Sequence, residues 1–327
     1  MPTSTRPAAA RPHPSSAATP AGRDRSTGTA GAYRRTASRA SARRRLLGLL
    51  YLAPALVVYA VVTLVPAGQG VWLSFWHWDG VTPATWAGFA NYTGFFTDPR
   101  LRQALDHTGV FLIFFSALPI ALGLLSAALT ARREVRGAGM YRWVIFLPQM
   151  LTPAVTAVVW KRIYAPDGPV NLVLRDLGLG SLAHGWLGDY TWALPALGLV
   201  GTWTTFGLCM VLLVAGMQNI PTELYDAARV DGAGPVREFF SVTLPGLRGH
   251  LAVALTLSAL GALRVFDIVW LTNRGGPGTS TITPAILLYE RAFTNPDIGA
   301  AAAIGVVLAV VSLLVTLCVA KLSEEKS

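Results

Sequence analysis

The sequence predicts an all-α integral membrane protein with about six transmembrane helices, and three observations carry that expectation. Hydrophobic residues make up 53% of the 327 positions and charged ones 13%, with a mean hydropathy of +0.47. Such proportions suit lipid, and not water, as the solvent of most of the chain. Six apolar stretches approach the roughly 20 residues that a helix needs to cross the hydrocarbon core. The basic residues, finally, are concentrated on alternate connecting segments, as the positive-inside rule requires.

Ten arginines fall in the first 45 residues. That run, rich in Ala, Ser, Thr and Pro, cannot bury enough apolar surface to offset its ordering entropy, so residues 1–45 are expected to form a disordered cytoplasmic tail. The net charge of +10 therefore sits largely in a tail and not on a folded face, which argues against nucleic acid as a partner and leaves anionic lipid as one for the arginines. Arg34-Arg35 and Arg43-Arg44-Arg45 lack a following twin-arginine consensus. Too many residues precede the first span for a cleaved signal peptide, so that span is expected to remain in place.

The spans are expected near Leu46–Phe75, His107–Thr130, Trp143–Ile163, Trp192–Gln218, Leu251–Leu271 and Ala300–Ala320. This makes 46–320 the membrane domain and 321–327 a short cytoplasmic tail. With both termini inside, the inner segments hold 19 Lys and Arg and the outer segments seven, which places the termini in the cytoplasm. Trp72, Trp76, Trp78, Trp143, Trp160, Trp192 and Trp270 lie near span ends, where indole prefers the headgroup level. Trp203 does not, because eleven residues into the fourth span it is roughly 16 Å deep at 1.5 Å per residue. Cys209 and Cys318 fall in apolar segments, and the histidines at 13, 77, 107, 184 and 250 lack metal-ligand spacing, so neither a disulfide framework nor a metal site is indicated.

The connection between the fourth and fifth spans, Asn219 to His250, has no span-length apolar run and carries seven charged residues. Pro221-Thr222-Glu223 predicts a helix start with Thr222 as N-cap and with Glu223 and Asp226 near the positive end of the helix dipole. The helix should continue from Leu224 to Val230 and break at Asp231-Gly232, glycine being suited to positive φ. A second helix should start at Pro235 and run to Leu244, ahead of Pro245. Ala227 and Ala228 would let the first helix approach a partner's groove closely, while Phe239, Phe240 and Leu244 would pin the second against the span ends. The competing reading is an amphipathic hairpin lying on the lipid.

The run Glu223-Leu-Tyr-Asp-Ala-Ala-Arg-Val-Asp-Gly-Ala233, followed by Phe239, Phe240 and Thr243-Leu-Pro245, resembles the EAA signature of ABC-type importer permeases. Asp226 stands where that signature has Glu, and Arg248-Gly249 stand near a position where proline is common. The resemblance implies a type I importer permease fold with a coupling helix inserted into a separate ATPase. Glu223, Asp226, Ala227, Ala228, Asp231, Gly232, Ala233, Phe239, Leu244 and Pro245 would be the coupling residues. It covers most of the apolar chain and leaves out the tail to about residue 45. Trp160 to Asn171, Trp203 to Pro221 (with Phe206-Gly207 and Ala215-Gly216), Phe266-Asp267 and Leu271 to Pro277 are similar to the carbohydrate branch, the permeases for maltose, glycerol phosphate and multiple sugars. Within that branch the chain looks like the first permease subunit, which pairs with a different second one.

What the resemblance implies is a cycle in which an extracytoplasmic solute-binding protein delivers substrate, two permease subunits form the pathway, and two ATPase subunits bind ATP and magnesium and drive the loop. No cofactor is expected on this chain. The residues agree, since no Gly-x-x-x-x-Gly-Lys-Ser/Thr phosphate loop and no Gly-Lys pair occurs, so the chain is expected to be a transport subunit and not an enzyme.

For the pathway, Arg264 and Asp267 are three apart on the predicted fifth span, on one face in its outer half, where charge suggests function. Mutual neutralisation is the alternative. Trp203 could stack on a sugar or simply pack. Gln149, Thr204 and Thr205 could donate hydrogen bonds to a solute or bond neighbouring helices. An ion-coupled secondary transporter would need interior acids that spans two, three and six lack, and a membrane-embedded enzyme would need clustered catalytic groups, which the sequence does not show. A non-sugar cargo such as glycerol phosphate, peptide or another anion remains the alternative within the importer class.

Overall fold

The computed structural model describes residues 51–130 and 137–324; the proposed tail 1–45, the start of the predicted first span at 46–50, part of the connection after the second span, and residues 325–327 of the proposed tail 321–327 lie outside them. Residues 51–65 and the body from Pro66 onward are separate units. Helix α1 runs from Tyr51 to Leu73 and contains a π turn at Ala60–Leu64.

Within the body, a two-residue hairpin pairs β1 (Trp76–His77) with β2 (Thr85–Trp86), and α2 follows at Ala90–Thr97. Helix α3, Pro99–Leu129, starts eight residues before the predicted second span. Asp98 caps it by accepting from Arg100 N–H at 2.8 Å, with Pro99 in the first turn. A hydropathy window finds only the apolar part of such a helix, whose first turns carry Arg100, Arg102 and Asp106. A π turn at Ile113–Ala117 interrupts α3, and Thr202 Oγ1 donates to the Phe114 carbonyl at 2.6 Å.

The predicted third span is broken. Helix α4 (Ala138–Phe146) passes through a 3₁₀ turn at Leu147–Met150, and α5 (Pro153–Ile163) leaves at 101°. Pro148 and Pro153 withhold two N–H donors at this corner, and Thr152 restarts the helix by accepting from Val155 N–H through Oγ1. Helix α6 (Pro169–Asp176) belongs to a compact excursion centred on Asn171, which is fully buried. Its amide donates to the carbonyls of Ala165, Pro166 and His184 and accepts from Trp186 Nε1.

Helix α7, Ala193–Gln218, matches the predicted fourth span and forms the centre of the bundle. Glycines let its neighbours approach, as small residues do where helices pack in lipid. A Cβ on Gly207 would lie 2.4 Å from the Ile145 carbonyl oxygen, and one on Gly123 of α3 would lie 2.9 Å from Met210 N. Helices α8 (Thr222–Val230) and α9 (Pro235–Gly246) form the connection that the sequence singles out. Helix α10 (Arg248–Leu263) follows a 69° corner at Leu247.

The fifth span differs from expectation too, because α10 ends at Leu263 and a short α11 (Asp267–Thr272) follows a break at Arg264–Phe266. Thr283 stabilises the break from a distance: its buried hydroxyl donates to the Val265 carbonyl at 2.9 Å and accepts from Ile286 N–H, capping α12 (Pro284–Tyr289). Helix α13, Ile298–Glu324, is the sixth span. Among the described residues, four continuous helices are long and apolar enough to cross a membrane, and the two bent pairs bring the number to as many as six.

One cluster of buried side chains around Phe111, Leu197, Val269, Ile286 and Ile304 fills the half of the body away from the α8–α9 connection. A second, with Met210, Leu213, Met217, Tyr225 and Leu247, lies beside that connection. At the far end, Arg100–Glu290 at 2.8 Å and Arg291–Asp98 are two ion pairs that join the start of α3 to the π turn at Glu290–Thr294.

Candidate functional site

Two places assemble the residues that the sequence points to, beginning with the α8–α9 hairpin. Pro221, with ψ of 136°, already supplies the non-helical entry, so it is the N-cap and Thr222 is the first helical residue, not the cap. Glu223 occupies the first turn as expected. Gly232 has φ of +78°, with Ala233 N–H bonded to the Ala228 carbonyl and Gly232 N–H to that of Arg229. This is the left-handed helix ending that glycine permits. Helix α9 begins at Pro235 and passes through Pro245 to Gly246, two residues beyond the expected stop. A π turn at Phe239–Thr243 precedes the proline, and Leu244 N–H bonds to the Phe239 carbonyl. The register thus shifts by one residue just before the position that has no N–H to offer.

The hairpin buries one side and exposes the other. Tyr225 is buried, with its hydroxyl 3.3 Å from Thr243 Oγ1. Arg229 reaches both Asp226, at 3.2 Å, and Glu238 of α9, at 3.3 Å. Asp226 and Ala227 are exposed, as are Asp231 and Gly232, while Ala228, Ala233, Leu244 and Pro245 are half-buried. Phe239 packs at the base, but Phe240, 61% exposed, points away and does not pin the helix as the sequence suggested. With Val230 87% exposed, the outward surface offers apolar groups beside the acidic ones, as a docking face does.

A cavity of about 380 Å³ opens where the broken span meets α7 and α10, bordered by Gln149, Thr156, Thr204, Thr205, Ser258 and Gly261 among others. Gln149, Thr204 and Thr205 are thus brought together. Thr204 Oγ1 donates to the Gly201 carbonyl, and Ser258 to that of Leu255. Thr156 Oγ1 and, one helical turn on, Trp160 Nε1 are buried without a hydrogen-bond partner among the described residues, and an unmade bond of this kind costs about 1–3 kcal/mol. Trp160 packs edge-to-face on Trp203, with centroids 5.5 Å apart. Both indoles are half-buried, and neither borders the cavity.

Arg264 and Asp267 are not brought to the cavity. Both are exposed, Arg264 lies in the break and Asp267 just after it, so they do not share a helical face, and no ion pair joins them among the described residues. Sequence reasoning passed over Thr156, placed Trp160 in an interfacial belt, and gave no role to Arg229 or Glu238. A threonine and an indole four residues apart, the indole past a proline-marked corner, were the available signals for the first pair.

Residues 110–325 match the family described as binding-protein-dependent transport system inner membrane component, and the chain belongs to it: a multi-pass inner-membrane permease of the ABC-type importers. The chain is 34% identical over 278 residues to the diacetylchitobiose uptake system permease protein of Streptomyces coelicolor, covering 81% of this chain and 79% of that one. It is 32% identical over 285 residues to the trehalose/maltose transport system permease protein of Thermococcus litoralis, covering 86% and 95%. In fold it is similar to a chain of a bacterial ABC transporter that imports the acidic polysaccharide alginate, with a TM-score of 0.72 at 23% identity over 86% of this chain and 96% of that one.

Proposed function

We propose that the chain is one permease half of an ATP-driven sugar importer, with α8–α9 as the element that meets the ATPase. The observation carrying this is the hairpin itself: Asp226, Ala227 and Gly232 stand exposed on a helix-turn-helix whose other side is buried against the ends of α3, α7 and α10. ATP and magnesium bind on the ATPase, and both termini and the hairpin face the cytoplasm. A solute-binding protein delivers cargo from the other side, and a second, different permease subunit completes the pathway.

The cargo reading rests on the relatives' names and on the cavity. Thr156, which borders the cavity, offers a hydroxyl with no partner of its own, which a polyhydroxylated solute could satisfy. An anionic sugar derivative is the second reading, favoured by 34% identity over 276 residues to the sulfoquinovosyl glycerol transport permease of Agrobacterium fabrum. Reconstitution with the ATPase, second permease and binding protein, followed by uptake of labelled neutral oligosaccharides and sulfonated sugars, tests both readings. ATP-dependent uptake of either class supports the importer assignment and names the cargo, whereas uptake of amino acids or peptides alone would overturn the sugar assignment.

A further inference from the structure

The hairpin contains a connection that its coupling role makes informative. Helices α8 and α9 are joined by Asp231–Gly234, in which a Cβ on Gly232 or on Gly234 would meet nothing within 4 Å. Neighbouring side chains therefore do not stiffen this turn. Among the described residues, two side-chain contacts that tie α8 to α9 stand out. One is buried Tyr225, with its hydroxyl on Thr243, close to the bundle. The other is Arg229, whose Nε lies 3.3 Å from Glu238 Oε2 while its Nη1 lies 3.2 Å from Asp226 Oδ1. Glu238 is 5% exposed, although it belongs to a surface hairpin. Burying a carboxylate is costly unless it is paired, so this placement is sustained by its partners.

We propose that Arg229 and Glu238 are positioning residues that make α8 and α9 move as one rigid body, so that a push on α8 reaches α10. This rests on reading the hairpin as the ATPase-coupling element. With the pair removed, the helix carrying Asp226 and Ala227 pivots about Tyr225 on the two-glycine turn. The driving motion is then absorbed in the hairpin and is not passed through the Leu247 corner. Arg229 suits the task because its planar fork engages two carboxylates at once, which a lysine ammonium on a flexible stem reproduces poorly.

The test uses the complete importer in proteoliposomes and reads substrate moved per ATP hydrolysed, normalised to the ATPase retained on the permease. Arg229→Gln and Glu238→Gln should each lower that ratio by about fivefold or more, the lower bound of typical coupling between sites. Arg229→Lys should fall between, and the exchanged pair Arg229→Glu with Glu238→Arg should recover part of the loss. An unchanged ratio in both glutamine variants overturns the proposal, and so does loss of ATPase binding in both, which would make the pair an assembly contact. The coupling reading fails by a different result: Gly232→Val, strained at φ of +78°, leaving both ATPase binding and uptake intact.

Discussion

Gly207→Ala isolates the close approach of α7 to the broken span. A Cβ there would lie 2.4 Å from the Ile145 carbonyl oxygen and 2.8 Å from Phe146 Cα, about 1 Å inside ordinary contact. Both atoms are backbone, so no side chain can swing aside; α4 must retreat. Overpacking of this kind costs about 1–3 kcal/mol, and alanine's helix propensity returns roughly 0.5–1 kcal/mol. The clash outweighs the propensity gain over most of that range, with a net loss of about 0–2.5 kcal/mol. Because α4 leads directly to Gln149 at the cavity, uptake should fall along with stability. Gly109→Ala is the control, since a Cβ there meets nothing within 4 Å and only the propensity gain of about 0.5–1 kcal/mol remains. The assay is the thermal unfolding midpoint of purified permease in nanodiscs, with uptake measured alongside. Equal midpoints for the two variants would refute the reasoning, because a single chemical change would then have ignored opposite surroundings.

Thr283→Val should lower the midpoint, removing a helix cap and a bond to Val265 worth about 1 kcal/mol each, while Thr283→Ser should retain most of the stability; equal midpoints for the two would count against the role given to that hydroxyl. Thr156→Val keeps the shape and deletes a buried hydroxyl that lacks a partner, so stability should hold or rise while uptake falls; unchanged uptake kinetics would remove Thr156 from the pathway. Asp189 accepts from Thr191 N–H at 2.7 Å and Trp192 N–H at 2.9 Å at the start of α7, and the Trp192 and Thr191 backbone bonds hold its carboxyl below the ordinary value of 3.8. A carboxyl depressed by folding contributes stability in full above that value and loses it as pH falls toward the folded one. Acidification through this window should therefore lower the wild-type midpoint more than that of Asp189→Asn.

Where the determinants are local, the sequence is a good guide. The break at Gly232, the helix start at Pro235 and the extent of α7 each follow from residues at the spot: glycine for positive φ, proline for the first turn, an unbroken apolar run for the span. The interruptions of the third and fifth spans are less legible for two different reasons. In the third, Pro148 and Pro153 were visible, but hydropathy sums composition over a window and registers no corner. In the fifth, nothing near Arg264 forbids helix, and the carbonyl freed at Val265 is satisfied by Thr283, eighteen residues away. A partner at that separation is a tertiary fact. The same limit explains the site. Gln149, Thr204 and Thr205 were recognisable as polar groups in apolar runs, whereas Thr156 and Trp160 gain their meaning only from the corner that turns them inward. Arg264 and Asp267 looked like a pair because helix was assumed through a place where the helix stops.

The hairpin's attachments limit how much slack it can have. Only Asn219–Pro221 separate α7 from α8, and only Leu247 separates α9 from α10. A fully extended chain spans at most about 3.3–3.6 Å per residue, so the first link can lengthen to about 10 Å and the second to about 3.5 Å. Leu247 is wholly buried, and a side chain on Gly246 would collide with Ile220, so even that play is curtailed. Any displacement of the hairpin beyond a few ångströms must drag the ends of α7 and α10 together. These are two of the helices that border the cavity, and the stroke length delivered to them is fixed by covalent geometry.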